Sequence, residues 1–194
     1  MQYSDRFERL FQHLLVDEGG YLPQDKAVKL GDSGGATKYG ISLKFLKSVG
    51  VKEVDFNNDG IINEKDIIVL NKEQAKELYY RYFYSPLYEQ ILDIKIANRL
   101  FNFGVNAGKK RAVRLLQIVI NKILKTKLLK EDGVFGNKTL AALNNIDPDI
   151  VYLNYRNAIE IFYRSLNKPN FLKAWLNRLY RSISGSVANL LKKD

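Results

Sequence analysis

The chain has 194 residues, 46% of them hydrophobic, and no cysteine. That length and apolar content suit one domain, or one with a small appended lobe, and the missing cysteine excludes both a disulfide framework and a thiolate metal site. The net charge of +10 calls for a polyanion (nucleic acid, an anionic membrane or a bacterial cell wall) or for nothing beyond a solvated basic surface, and charge alone does not choose.

Residues 5–17 repeat Phe7, Leu10, Phe11, Leu14 and Leu15 at helical spacing, which predicts an amphipathic helix. Asp5 with Glu8 predicts a capping box at its start. Those acids interrupt the apolar pattern and no small-residue cleavage site follows, so the segment reads as a helix and not a signal peptide. No run is long enough to span a bilayer. Residues 18–42, EGGYLPQDKAVKLGDSGGATKYGIS, are crowded with glycine and read as one irregular loop with short strands around Tyr21 and Tyr39. Glycine allows backbone conformations and close approaches that side chains forbid.

A short helix is expected over residues 43–48. Asn71 with Gln74 predicts a capping box opening a helix over 72–84, which ends before Pro86. Asp93 caps a helix to about Asn106. Gly108 breaks it, and a helix over 109–125 follows with Ala112, Leu115, Leu116, Val119, Ile120 and Ile123 inward. Residues 131–136 are turn-rich. A short helix over 139–144, a long one from Pro148 to about Leu166 and a last one over 171–182 complete a mainly α chain. Proline is tolerated in a first helical turn, as at Pro148.

Gly31-Asp32-Ser33-Gly34-Gly35 imitates a serine-nucleophile motif, but that chemistry needs a histidine base in a fixed context. The one histidine, His13, sits upstream on the first helix and reads as a packed or surface residue. With no thiolate and one imidazole, a zinc hydrolase is equally unsupported. Carboxylates remain. Two acids in unlike surroundings divide the work: one stays protonated in an apolar pocket, the other stays ionised. Glu18 follows the apolar run Leu14-Leu15-Val16 and suits the acid. Asp32 or Asp25 suits the partner, and the Thr37 hydroxyl can hold a water.

Residues 55–66, DFNNDGIINEKD, fit an EF-hand-type loop. Asp55, Asn57 and Asp59 supply side-chain oxygens, Gly60 the sharp turn and Ile61 a carbonyl. Position 12 is Asp66, one methylene shorter than the usual glutamate. A structural calcium ion is expected here, with a metal-free Asn/Asp/Gly turn as the alternative. Tyr79, Tyr80, Tyr82, Phe83 and Tyr84 crowd one helix, where core packing is the default. Lys109, Lys110, Arg111 and Arg114 form a basic helix start that reads as a solvated face or a contact for a phosphate-bearing polymer.

Glu18-Gly19-Gly20-Tyr21 and then Asp32-Ser33-Gly34-Gly35-Ala36-Thr37-Lys38-Tyr39-Gly40-Ile41-Ser42 resemble the signature of glycoside hydrolase family 108, roughly E-G-G-Y, a spacer, and D-P-G-G-x-T-x-Y-G-I-[ST]. That family comprises N-acetylmuramidases of phage-endolysin type, some first described as secretion activators. Further matches are FNFGVNAG at residues 101–108, LLQ at 115–117, DGVFGNKTL at 132–140 and FLKAWLNR at 171–178. They resemble the family's C-terminal part, a predicted peptidoglycan-binding region. Three departures stand out: Ser33 replaces the proline, the spacer over residues 22–31 is long, and Asn102 stands where aspartate is frequent.

The resemblance implies a lysozyme-like helical fold with a small irregular or β region after the first helix. It implies a muramidase region over 1–92, holding the loop at 55–66, and a helical peptidoglycan-binding region over 93–182 packed with it. The implied reaction is hydrolysis of the β-1,4 bond between N-acetylmuramic acid and N-acetylglucosamine, without a cofactor. Glu18, Asp32 and Thr37 are the expected catalytic set, and phage lysozymes carry a similar Glu–Asp–Thr set. Tyr21, Tyr39 and Asn106 are the expected sugar contacts. Peptidoglycan strands are the expected partner, with no nucleic acid and a monomeric chain. The protein is expected to be made in the bacterial cytoplasm, as prophage endolysins are, and to reach the wall after release by a holin, secretion or lysis. The rival is a peptidoglycan-binding or secretion-helper protein without turnover.

Overall fold

The computed structural model describes residues 2–17, 20–29 and 34–181. The chain divides into two compact units, one formed by Leu14–Tyr79 and the other by Met1–His13 with Tyr80–Asp194. Glu18 and Asp32, the two expected catalytic carboxylates, lie outside the described residues.

Helix α1 (Asp5–Asp17) forms where the apolar periodicity placed it. Its cap differs from expectation: the Ser4 hydroxyl accepts the Phe7 N–H at 3.1 Å, so Ser4 does the work given to the Asp5/Glu8 pair. Serine is as good a cap as aspartate, and only one residue can occupy the position. His13 is 3% exposed, in line with a packed helix residue.

The unit formed by Leu14–Tyr79 contains α2 (Gln24–Lys29), β1 (Thr37–Lys38), β2 (Ile41–Ser42), α3 (Leu43–Val49), α4 (Val51–Val54), α5 (Glu64–Val69) and most of α6 (Lys72–Tyr82). Strands β1 and β2 pair antiparallel, Thr37 opposite Ser42 and Lys38 opposite Ile41. Tyr39 (φ +51°) and Gly40 (φ +75°) connect them. Two successive positive φ values are what a two-residue turn of the primed type needs to match strand twist. Leu22 adds an antiparallel bridge to Thr37. Ser42 then caps α3 by accepting the Phe45 N–H. Asn71 and Gln74 form the expected reciprocal cap at α6, each bond 2.9 Å. Helix α2 falls inside the stretch read as one irregular loop.

In the other unit, a 3₁₀ turn (Pro86–Gln90) leads to α7 (Ile94–Ala107), α8 (Lys109–Ile123), α9 (Asn137–Asn144), α10 (Pro148–Ser165) and α11 (Pro169–Tyr180). Asp93 caps α7 through the Lys95 and Ile96 N–H groups. Asp147 caps α10, with Pro148 in the first turn. Every residue from Ile96 to Gly104 is buried, the polar Asn98, Arg99 and Asn102 among them, so α7 is covered on all sides and central to its unit. Helices α8 and α10 pack against α7, and α11 against α10. Phe103 meets Phe162 and Tyr163 edge to face at 5.4 and 5.7 Å, and Trp175 stacks on Tyr163 at 5.2 Å. The Tyr155 hydroxyl donates to the Ala112 carbonyl at 2.9 Å. Burial drives its pKa well above the ordinary value, against a lowering pull from Arg99.

Helix α6 ends at Tyr82, two residues short of the expected span, so Phe83 and Tyr84 lie beyond it. Of the aromatic run, Tyr79 is fully buried and Tyr84 is 4% exposed. Core packing therefore accounts for both. The basic start of α8 is split. Lys110, Arg111 and Arg114 are exposed. The Lys109 Nζ instead donates to the Tyr84 carbonyl at 2.5 Å, and burial lowers its pKa. Among the described residues no helix is long and apolar enough to cross a membrane.

Candidate functional site

The small β region gathers three of the expected site residues: Tyr21, Thr37 and Tyr39. Leu22 and Thr37 exchange backbone hydrogen bonds of 2.8 and 2.9 Å. That pairing holds the residue after Tyr21 against β1. Gly35, at φ +76°, lets the chain turn into β1, and a Cβ there would lie 2.5 Å from the Gln24 Oε1. An alanine would be strained by its backbone conformation and would push the Gln24 side-chain amide from its place.

The Thr37 hydroxyl donates to the Gly35 carbonyl at 3.1 Å. Its proton is committed within the loop, while its oxygen lone pairs remain acceptors. Tyr39 is half-buried. Its carbonyl accepts the Tyr79 hydroxyl at 2.8 Å, and the Lys38 ammonium stands 5.6 Å from its ring centre. Tyr21 is 39% exposed and donates its hydroxyl to Glu64 Oε1 at 2.5 Å. The bond to that carboxylate, more than burial, pushes the phenol pKa up to about 12. Asp25, the alternative second carboxylate, is exposed in the first turn of α2.

Asn106 belongs to the other unit, near the end of α7. Its Nδ2 donates to the Asn102 carbonyl at 3.0 Å, and its Oδ1 accepts from Arg178 of α11 at 2.6 Å. Asn102 is 4% exposed. Its Nδ2 donates to Asn98 Oδ1 at 2.8 Å, while its buried Oδ1 has no hydrogen-bond partner among the described residues. An aspartate here would bury a charge beside that carbonyl-rich helix face, whereas the amide buries none.

The turn at residues 55–66 is closed by its own side chains. Asp55 accepts the Asp59 and Gly60 N–H groups at 3.1 and 2.8 Å. Asn57 Oδ1 accepts the Asp59 N–H, and Asp59 Oδ1 the Ile61 N–H, each at 3.1 Å. The latter bond holds the Asp59 carboxyl below its ordinary pKa. Asp66 is fully buried and faces backbone. Its Oδ1 accepts the Phe56 N–H and its Oδ2 the Asn63 N–H, both at 2.9 Å, which completes a capping box with Asn63. Among the described residues no group of three or more His, Cys, Asp or Glu is arranged to hold a metal ion. The donors available are all oxygen, the chemistry calcium selects.

Two residues that sequence reading did not single out organise this region. Glu64 receives Tyr21 and the Gln24 N–H, the latter at 2.8 Å, and the Gln24 side chain receives the Ala36 N–H at 2.9 Å. Neither carries a local signal, because both act through tertiary hydrogen bonds.

In the second unit an open groove of about 810 Å³ runs between α8 and the segment leading into α9. Gln117 and Asn121 form its inner wall. Gln117 bonds Asp132, Gly133, Val134 and Thr139, and Asn121 bonds Leu129 through both amide atoms. Lys127, Lys130 and Lys138 border it.

These features define a mainly α, lysozyme-like fold with a short hairpin that follows its first helix in the chain. The family model described as Glycosyl hydrolase 108 matches residues 11–108, and the chain belongs to that family. Its structure is similar to that of SagA from Brucella abortus, with a TM-score of 0.72 and 27% identity over 94% of each chain. No curated protein matches the chain.

Proposed function

We propose that this protein is a lysozyme-type N-acetylmuramidase. It hydrolyses the β-1,4 bond between N-acetylmuramic acid and N-acetylglucosamine in peptidoglycan. The observation that carries this reading is the glycosyl hydrolase match over residues 11–108, which spans the whole acid-bearing loop. Glu18 protonates the glycosidic oxygen as it leaves. Asp32, with the Thr37 oxygen, positions water or stabilises the developing oxocarbenium. Tyr21, Tyr39 and Asn106 contact sugar. The separation of the two carboxyls sets the outcome: about 5–5.5 Å retains and about 6.5–9.5 Å inverts configuration.

Digestion of purified sacculi tests the reading. Mass spectrometry of the soluble fragments is expected to find N-acetylmuramic acid at the reducing ends. N-acetylglucosamine at those ends overturns the bond assignment. Binding to sacculi without soluble fragments selects the rival, a peptidoglycan-binding or secretion-helper protein. The region over residues 93–182 is proposed as the peptidoglycan-binding part, supported by the groove beside Gln117 and Asn121 and its lysine border. The protein is proposed to act on the wall as a monomer after release from the cytoplasm.

A calcium ion is proposed at Asp55, Asn57, Asp59 and the Ile61 carbonyl, with a structural role and no part in the chemistry. Asp66, the expected twelfth-position ligand, has both oxygens on backbone N–H groups and would have to share one with the ion. An ion that binds only the folded chain at a hundred times its Kd adds about 2.7 kcal/mol. The thermal midpoint is therefore expected to rise in calcium over EDTA, and Asp55→Ala to abolish the rise. An unchanged midpoint in the unsubstituted protein removes the ion.

A further inference from the structure

Glu64 opens α5, directly after its cap Asn63. The capping box of that helix is made by Asn63 and Asp66, so the Glu64 carboxylate is free for other work. Its Oε1 accepts two bonds from a distant part of the chain, the Tyr21 hydroxyl at 2.5 Å and the Gln24 N–H at 2.8 Å. Gln24 is the first residue of α2, where a backbone N–H has no partner inside the helix. The carboxylate supplies that partner and places negative charge at the helix start, where it is favourable.

The chain of bonds continues. The Gln24 side-chain oxygen accepts the Ala36 N–H at 2.9 Å, and it occupies the space a side chain on Gly35 would need. Ala36 is fully buried and leads into Thr37, which is paired in turn to Leu22. One carboxylate thus fixes Tyr21 directly and Thr37 at two removes, and the circuit closes through Leu22. Both bonds to Glu64 also draw its own pKa below the ordinary value, the tyrosine hydroxyl first. At the far end of α5, Lys38 of β1 donates to the Ile68 carbonyl at 2.6 Å. The hairpin is therefore tied directly to the far end of α5 by Lys38 and to its start only through Gln24.

We propose that Glu64 is a positioning residue for hydrolysis, setting Tyr21 and the Gly35-Ala36-Thr37 segment in the geometry the glycan meets. This rests on the muramidase reading above. Glu64→Ala removes both acceptor bonds. Glu64→Gln keeps an amide oxygen at the same reach, able to accept both, while removing the charge. Misplacement by about 1 Å can cost a hundredfold in rate.

Glu64→Ala is expected to lower kcat/KM on solubilised glycan strands by roughly ten- to hundredfold. In the same variant the Tyr21 phenol should titrate back toward 10.0 from about 12, and the Ala36 and Thr37 amide resonances should shift. Glu64→Gln is expected to regain most of the rate and leave those amide resonances near their original positions. A wild-type rate in Glu64→Ala with unmoved amides overturns the proposal. So does a rate loss that Glu64→Gln fails to recover while its melting temperature stays unchanged. If the unsubstituted protein releases no fragments, the muramidase reading fails separately. The Tyr21 titration and the two amides then judge the clamp on their own: shifted, it stands; unmoved, it falls.

Discussion

Glu18→Gln is expected to leave the melting temperature and helical content unchanged and to lower sacculus hydrolysis by about 10²–10⁴-fold, the usual worth of a positioned general acid. Glutamine matches the shape and hydrogen-bonding reach of the acid but cannot release a proton to a leaving alkoxide. Binding should survive, so the variant should still pellet with sacculi. KM and kcat are expected to separate, with the loss in kcat. Retention of the full rate removes the acid assignment.

The partner carboxylate is decided by the same assay. Asp32→Asn should fall nearly as far as Glu18→Gln, and Asp25→Asn hardly at all, since Asp25 is exposed in the first turn of α2. The reverse order would move the role to Asp25. Thr37→Ala should fall between them. Its hydroxyl proton is held by the Gly35 carbonyl, so the change loses that loop bond together with an acceptor for water.

Where burial follows from local pattern, the residues announced it. Phe7, Leu10, Phe11 and Leu14 recur at helical spacing, and all four are fully buried. Asn71 and Asp93 each cap the helix that follows, and Pro148 stands in a first helical turn. These are short-range effects, satisfied within one turn of chain. Helix α2 was not legible for the opposite reason. Of its six residues only Ala27 is buried, so no apolar period exists to read. Its start is satisfied by Glu64, 40 positions away in sequence.

The candidate site divides along the same line. Tyr21, Thr37 and Tyr39 stand out because glycines and a turn surround them. Glu64 does not, because its nearest neighbours in sequence belong to the Asp55–Asp66 turn and invite a metal reading. Position 12 of that turn illustrates the difference between a motif and its use. Asp66 occupies the position of a calcium ligand, yet both of its oxygens accept backbone N–H groups and one completes a capping box. A pattern match gives the residue type, while the neighbouring donors determine what its oxygens do.

Phe7→Ala is expected to be the most damaging single change to stability among those considered. Phe7 is fully buried. Its ring lies 4.9 Å from Tyr84, 5.0 Å from Tyr80 and 5.2 Å from Tyr3, with Phe11 and Phe101 at 6.1 Å. Truncating a buried phenylalanine costs about 3–5 kcal/mol through lost transfer and the cavity left behind. That is a large share of the roughly 5–15 kcal/mol that holds a typical domain folded. At about 2–4 °C per kcal/mol for a chain of this size, the melting temperature should fall by roughly 6–20 °C. Phe7→Leu refills most of the volume and should recover more than half of the loss. The polar ties nearby are weaker tests. Arg6 donates to the Ile91 carbonyl at 2.8 Å, but its contact with Glu89 is 4.0 Å, and Arg6→Ala should cost about 1–3 kcal/mol. Ile161, 68% exposed, sets the baseline, since Ile161→Ala should stay within about 0.5 kcal/mol. Urea titration of the four variants gives the ranking. If Phe7→Ala costs no more than Arg6→Ala, the aromatic cluster is not what anchors the first helix to its unit, and the polar ties to the 3₁₀ turn are.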